Sequence, residues 1–275
     1  MSDVSLYLIP TPVGNYLDIT LRAIDTLKMV DLVLCEDTRE TSKLLSKYDI
    51  KKKLVSCHEF NENSMKNKVL EYLNQGLNIG LVTDQGTPLI SDPGYRVVSF
   101  IVEHGYNVVS LPGATAFVPA LTLSALPVEH FLFYGFLNSK SSKRKSELAS
   151  LRNYPYTLVF YEAPHRLVTV LNDMKEILGD RKICVVKEIS KKYETVIRGK
   201  ISDILVSNFE IKGEFVLVVE GNSTDYDYSN LSIKDHVNLY IADGMLPNEA
   251  IKKVAKERHE VKSLIYNEYH KDGDC

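Results

Sequence analysis

The sequence predicts an α/β protein made of two α/β domains and a small C-terminal helical module. Three patterns carry that expectation. Over residues 1–116, short apolar runs alternate with stretches of helical spacing. Over 117–222, strand-like runs recur with too little chain between some of them for crossovers. Residues 223–275 read as a linker followed by helix, turn, helix, turn, helix. Strand–helix repetition is the signature of a parallel sheet covered on both faces, and close-spaced strands point to antiparallel pairing.

Taken in order, Ser5–Ile9 (SLYLI) is strand-like, and Thr20 stands where a helix N-cap belongs. After it, Leu21, Ile24, Leu27 and Val30 keep one apolar face at helical spacing. Asp31–Glu36 (DLVLCE) is the next strand and Leu54–Glu59 a third. Met65, Val69, Tyr72 and Leu73 form a helical stripe, closed by Gly76 as a C-terminal cap. NIGLVT reads as a strand, YRVVSFIVEHG as a helix ending at Gly105, and YNVVSLP as a strand. A helical stretch near Thr115–Ala125 leads into the second domain. There, strands are expected at His130–Phe136, Thr157–Glu162, Lys182–Glu188 and Gly213–Gly221, with helices at Arg166–Leu178 and Ser202–Asn208. The polar, basic segment Asn138–Glu147 (NSKSSKRKSE) is expected to be an exposed, mobile loop. Gly221–Asn230 reads as a linker.

The chain has 275 residues, 44% of them hydrophobic and 25% charged, as in ordinary globular proteins. No apolar run is long enough to span a bilayer, and the N-terminus has no signal-peptide pattern, so a cytoplasmic protein without membrane contact is expected. The four Cys are scattered and no His pair has metal-ligand spacing, so neither disulfides nor a metal is expected. A net charge of −3 conceals an asymmetry: residues 130–200 hold 14 Lys and Arg against 7 Asp and Glu, leaving 19 against 29 elsewhere. Such a basic half suits a polyanionic partner, although clustered surface lysines alone produce the same count.

Ligands of open parallel sheets sit outside the carboxyl ends of the strands. Three strands of the first domain end there in unusual loops: PTPVGN (Pro10–Asn15), TDQGTPLISDPG (Thr83–Gly94) and LPGATA (Leu111–Ala116). The first is a poor phosphate cradle, because Pro10 and Pro12 have no N–H to offer an anion. In the second, Asp84 and Asp92 would repel a phosphate but suit a cation or ribose hydroxyls. Small residues at Gly86, Gly113, Ala114 and Ala116 let backbone approach a ligand closely. A nucleoside-like, positively charged, phosphate-free molecule fits these residues, and S-adenosylmethionine is one.

The motifs LYLIPTPVGNYLDITLRA, CEDTRETSKLL, HEFNEN, TDQGTPLISDPGYR, LPGATA, FYEAPHR and KGEFVLVVEG, in this order, closely resemble the ribosomal RNA small subunit methyltransferase I family, a branch of the tetrapyrrole methylase superfamily. The resemblance spans nearly the whole chain. It departs where the family often has SDAGTP and ESPHR, here Thr83–Pro88 and Glu162–Arg166, and neither change removes a charged group. The resemblance implies a class III methyltransferase fold with S-adenosylmethionine in a cleft between the two α/β domains, commonly in a homodimer. It implies 2′-O-ribose methylation of a cytidine in the decoding region of 16S ribosomal RNA, position 1402 in the family's numbering. Carried over motif by motif, the cofactor would touch Val13, Gly14, Asp84, Gly86, Thr87, Thr115 and Ala116. Tyr161, Glu162 and Ala163 would close the site from the second domain, with Phe215 behind.

A ribose hydroxyl is a weak nucleophile and gains from a base or electrostatic helper. Candidates are Glu36, Asp37, Arg39, His165, Arg166, Lys187 and Glu188, of which Asp37, Arg39, Lys187 and Glu188 are taken as the reactive or RNA-orienting set. Structural roles compete: CEDTRE can be a helix start capped by Thr38, Pro164 can open a helix, and Lys187–Glu188 can be a surface ion pair. Phosphate contacts are expected from Lys140, Lys143, Arg144 and Lys145, with His165 and Arg166. Arg181, Lys182, Lys191 and Lys192 could extend that patch, and Tyr16, Phe60 and Tyr161 could stack a splayed base. Lys252, Lys253, Lys256 and Arg258 of the tail could grip RNA or serve packing. Two rivals stay open: a methylase of tetrapyrrole precursors, and an RNA-binding assembly factor without catalysis.

Overall fold

The computed structural model describes residues 4–222, 231–242 and 244–271, which form two compact units, Met1–Gly221 and Asn222–Cys275. The linker expected at Gly221–Asn230 lies almost wholly outside the described residues.

The first unit opens with β1 (Ser5–Leu8), α1 (Leu21–Met29), β2 (Leu32–Cys35), α2 (Thr38–Lys47), β3 (Lys53–Ser56), α3 (Glu62–Asn74), β4 (Ile79–Leu81), α4 (Tyr95–Glu103) and β5 (Asn107–Ser110). The five strands pair in parallel in the order β3-β2-β4-β1-β5. Thr20 caps α1 as its position predicts, its Oγ1 accepting the Ala23 N–H at 3.0 Å. Leu6, Leu34, Ile79, Val69 and Ile101 pack on one face of the sheet, and Ile9, Leu27, Val33 and Leu45 on the other. The apolar runs are continuous because parallel strands bury both faces.

After α5 (Phe117–Leu123) a second sheet follows from β6 (Phe131–Phe136), β7 (Thr157–Glu162), β8 (Lys182–Lys187), β9 (Thr195–Lys200) and β10 (Phe215–Val219). Its order is β6-β7-β10-β8-β9; only β6 and β7 run parallel. Three helices belong to this half: α6 (Ser141–Leu151), α7 (Leu167–Leu178) and α8 (Ile201–Val206). Leu148, Leu167, Leu171, Met174, Phe160 and Leu217 share the core on this side. Val13 and α5 residues Ala120 and Leu121 pack with Val159, Val186 and Val216, which ties the first loop to the second sheet.

One expectation is overturned. The basic segment Asn138–Glu147 is not a loop, because most of it belongs to α6. Arg144, Leu148 and Leu151 fall at helical spacing and are buried, Arg144 with only 3% of its surface exposed. Its guanidinium donates to Asp173 of α7 at 2.6–2.7 Å and to the Asn138 and Ser139 carbonyls at 3.2 and 3.0 Å. Arg144 is therefore an internal strut and not a phosphate reader.

The second unit consists of α9 (Ile233–Ala242), α10 (Pro247–Glu257) and α11 (Lys262–His270). Val237, Ile251, Val254 and Ile265 form its core. Arg258, a candidate RNA contact, donates to His236 Nδ1 at 3.1 Å and to the Leu231 carbonyl at 2.6 Å. No helix among the described residues is long and apolar enough to cross a membrane.

Candidate methyl-transfer site

All five strands of the parallel sheet end at one edge, so the loops after β1, β4 and β5 meet there. Hydrogen bonds stitch them together. Thr11 and Gly86 exchange backbone bonds at 2.8 and 3.0 Å. Thr11 Oγ1 donates to the Thr83 carbonyl at 3.1 Å, and Thr87 Oγ1 to the Ala114 carbonyl at 2.9 Å. Gly86 has φ +90°, a conformation that side chains disfavour. In the corner after β4, Leu89 (φ 72°) and Ser91 (φ 66°) are also left-handed, a strain that persists only where the surroundings impose it.

A cleft of about 380 Å³ lies between these loops and the second sheet. Val13, Asp84, Gly86, Thr87, Asp92, Thr115 and Ala116 line it from the first half. Phe136, Tyr161, Glu162, Ala163, Ile189, Glu214, Phe215 and Val216 line it from the second. Ten of the eleven expected cofactor positions thus fall on the cleft. Gly14 does not: its φ is +138°, and a Cβ there would overlap the stem of Lys191, so it serves close packing of that side chain.

The wall is acidic. Asp84, Asp92, Glu162 and Glu214 line it, and no Lys or Arg does. Burial pushes the Asp92 carboxyl up to about 6, aided by the charges of Glu36 and Asp84. Thr83 Oγ1 faces it, is buried, and makes no well-aligned hydrogen bond. Asp84 is raised by burial and by Asp37 and Glu40, although it accepts the Asp37 N–H at 3.2 Å. Burial also raises Glu162, which Arg166 partly offsets from 3.2 Å. The Tyr161 phenol, buried against the backbone of Phe117 and Ala116, is pushed up to about 12 and stays protonated. A cation without phosphates satisfies this wall, and the small residues beside it admit a nucleoside; the residues present fit S-adenosylmethionine.

The other expected site residues are engaged elsewhere. Asp37, not Thr38, caps α2; its carboxylate binds Arg39 at 2.6 and 3.1 Å, which holds it down at about 2. Lys187 is buried and pairs with Glu210 at 3.2 Å instead of with Glu188. Burial disfavours the Glu188 anion, but Lys191 at 3.0 Å and the Glu214 N–H at 2.9 Å keep its carboxyl below the ordinary value. Neither Lys187 nor Glu188 lines the cleft. Arg166 donates to the Leu137 carbonyl at 2.7 Å and to Glu162, so it braces the cleft wall and is not free to read phosphate. Lys145 pairs with Glu176 at 2.7 Å, whereas Lys140, Lys143 and His165 are exposed. Residue-type reasoning missed Gln85, Ile90, Ser91, Phe136, Pro164, Ile189, Glu214 and Val216, and it noted the charge of Asp92 without placing it in the site. Glu214 could have been found as the residue preceding the strand that carries Phe215.

This fold and cleft are those of a methylase. The sequence pattern of the Tetrapyrrole (Corrin/Porphyrin) Methylases matches residues 5–205. A uroporphyrin-III-C-methyltransferase structure from Thermus thermophilus superposes with a TM-score of 0.56 at 19% identity, over 78% of this chain and 94% of that one. Closer in sequence is ribosomal RNA small subunit methyltransferase I of Bacillus subtilis (strain 168), 48% identical over 273 residues, 96% of this chain and 94% of the relative. The protein of that name from Halalkalibacterium halodurans is 44% identical over 98% of this chain and 95% of its own. The chain belongs to the tetrapyrrole methylase family, within its ribosomal RNA small subunit methyltransferase I branch, and is an S-adenosylmethionine-dependent methyltransferase.

Proposed function

We propose that the protein methylates the ribose 2′-oxygen of a cytidine in the decoding region of 16S ribosomal RNA, within the small ribosomal subunit. The observation that carries the acceptor class is the near-full-length similarity to relatives named for small-subunit ribosomal RNA methylation. When bound, S-adenosylmethionine supplies an electrophilic methyl group on a sulfonium. Asp84 would face its positive charge, and Phe136, Ile189, Phe215 and Val216 would hold its adenine. Much of the rate then comes from holding the acceptor oxygen in line.

Asp92 is the group we assign as general base. It lies in the cleft, is ionised above about pH 6, and is a stronger base than an ordinary aspartate. As the methyl group is transferred, the Asp92 carboxylate would take the proton of the acceptor hydroxyl and pass it to water. Lys140 and Lys143, exposed at the start of α6, are proposed phosphate contacts, and His165 a further one. A homodimer is part of the proposal on family grounds. The test is methyl transfer from labelled S-adenosylmethionine to unmodified small subunits, with the product nucleotide mapped by mass spectrometry. A 2′-O-methylcytidine in the decoding region is expected. Transfer to tetrapyrrole precursors and not to subunits overturns the acceptor assignment.

A further inference from the structure

Five loops share the carboxyl edge of the parallel sheet, but the cleft uses only those after β4, β1 and β5. The loops after β2 and β3 contribute nothing to its lining, although they adjoin it. The Asp37 N–H bonds Asp84 at 3.2 Å, and the Cys57 N–H bonds the Cys35 carbonyl at 2.8 Å. One end of the edge is therefore free for the second reactant.

The β3 loop is tied down by side-chain hydrogen bonds. Asn61 accepts the His58 N–H at 2.8 Å and donates to the Ser56 carbonyl at 3.1 Å. The buried Glu62 carboxylate accepts the N–H groups of Gly94 and Arg96 at 2.8 and 2.9 Å, fastening this loop to the corner that carries Asp92. On this fixed base Phe60 is 92% exposed, touching His58 edge to face at a ring separation of 6.1 Å. Tyr95, 71% exposed, stands between the two amides that Glu62 holds. Arg39, in the first turn of α2 and paired with Asp37, and Arg96, in the first turn of α4, are exposed.

We propose that the ends of β2 and β3 form the acceptor-nucleotide subsite, where an unpaired RNA base stacks on Phe60 and its ribose turns into the acidic mouth of the cleft. This rests on the RNA-acceptor reading above. A ribose cannot reach the mouth while its base is paired, so the nucleotide must be splayed out, and aromatic faces are how proteins hold such bases. Asp92, which lines the cleft, accepts a ribose hydroxyl, and Asp84 beside it repels phosphate. The flanking phosphates consequently lie outside, where Arg96 is exposed at the start of α4. The edge divides its work, with cofactor over β4, β1 and β5 and acceptor over β2 and β3.

Phe60→Ala, Phe60→Leu and Phe60→Trp test it in the full chain. At position 60 almost nothing is buried, so all three variants keep the fold and bind S-adenosylmethionine like the parent in calorimetry. Loss of stacking in the Ala and Leu variants should raise the KM for unmodified small subunits about 5- to 100-fold, with Trp restoring it. In the cofactor-free protein, a short single-stranded RNA carrying 2-aminopurine should be quenched on binding by the parent and Trp variant only. An unchanged KM with Ala, rescue by Leu equal to that by Trp, or quenching retained without the ring overturns the subsite. Should the parent fail to methylate subunits at all, the RNA reading itself falls and takes the subsite with it.

Discussion

The two sheets face the same cleft but build their walls differently. The parallel sheet brings every carboxyl end to one edge, so it contributes loops rich in backbone, small residues and the acids Asp84 and Asp92. The mixed sheet brings the ends of β6, β7 and β8 beside the start of β10, so it contributes strand-end side chains, mostly apolar or aromatic: Phe136, Tyr161, Ile189, Phe215 and Val216. None of its cations lines the cleft, although Arg166 and Lys191 neutralise the lining acids Glu162 and Glu214. Arg144, Lys145, Arg166, Lys187 and Lys191 are each paired with a carboxylate of their own half. One wall is organised around charge left open to a ligand, the other around charge neutralised internally. Net basicity of a segment is thus a poor guide to where it meets an anion.

The sharpest way to break this contrast is to remove the open charge. Asp92→Asn should lower kcat for methyl transfer by about 10²–10⁴-fold, with S-adenosylmethionine affinity changed far less. In the parent, activity should rise with pH through about 6 as Asp92 ionises, and that step should vanish in the variant. A variant with near-parental kcat would sink the base assignment. Stability should move the opposite way. The folded state raises the Asp92 pKa, so it binds this proton more tightly than the unfolded chain, and stability declines as pH rises from about 4 towards 6. Asp92→Asn should accordingly unfold about 1 kcal/mol later at pH 8 and no later near pH 4, measured by urea denaturation.

Removing neutralised charge should do the reverse. Arg144→Met leaves the buried Asp173 only the more distant Lys145, at 3.7 Å, and should cost about 3–5 kcal/mol in denaturant unfolding. The double variant Arg144→Met, Asp173→Leu should recover most of that loss. RNA affinity of the folded single variant should be unaltered, and a specific loss of RNA binding would return Arg144 to the phosphate readers.

A smaller effect is expected where the loops are packed together. A Cβ at Gly113 would overlap the Pro10 ring, so Gly113→Ala should force the β5 and β1 loops apart at a cost of about 1–3 kcal/mol. The S-adenosylmethionine dissociation constant should rise with it, as calorimetry can show. Smallest of all, Lys140→Ala and Lys143→Ala should each reduce the salt slope of RNA binding by about 1, leaving the methylated position unchanged. An unchanged slope would remove α6 from the RNA interface.

Much of this architecture was legible in the residues. Apolar runs at strand spacing, the Thr20 cap and the three proline- and glycine-bearing loops located the parallel sheet and its edge, because burial and φ preferences act locally. Asp84, Gly86, Thr87, Thr115 and Ala116 followed from those loops. What failed failed for long-range reasons. Asn138–Glu147 read as a loop because its apolar contacts begin only at Leu148, and because the partner that buries Arg144 lies 29 residues away on α7. Lys187 and Glu188 read as one pair because they adjoin in sequence, yet β8 ends at Lys187, the chain turns left-handed at Glu188 (φ 53°), and the two side chains found Glu210 and Lys191.

By itself, then, the sequence determined the two-sheet α/β plan, the loops that line the cleft and the methylase family, all of which rest on local pattern. Only the tertiary structure decided which charges remain open and which rings stay exposed: Asp92 raised by burial among acids, Arg144 and Arg166 turned inward, and Phe60 left exposed on the loop after β3. Charge and exposure depend on what else is folded against a residue, and that is set by partners far along the chain.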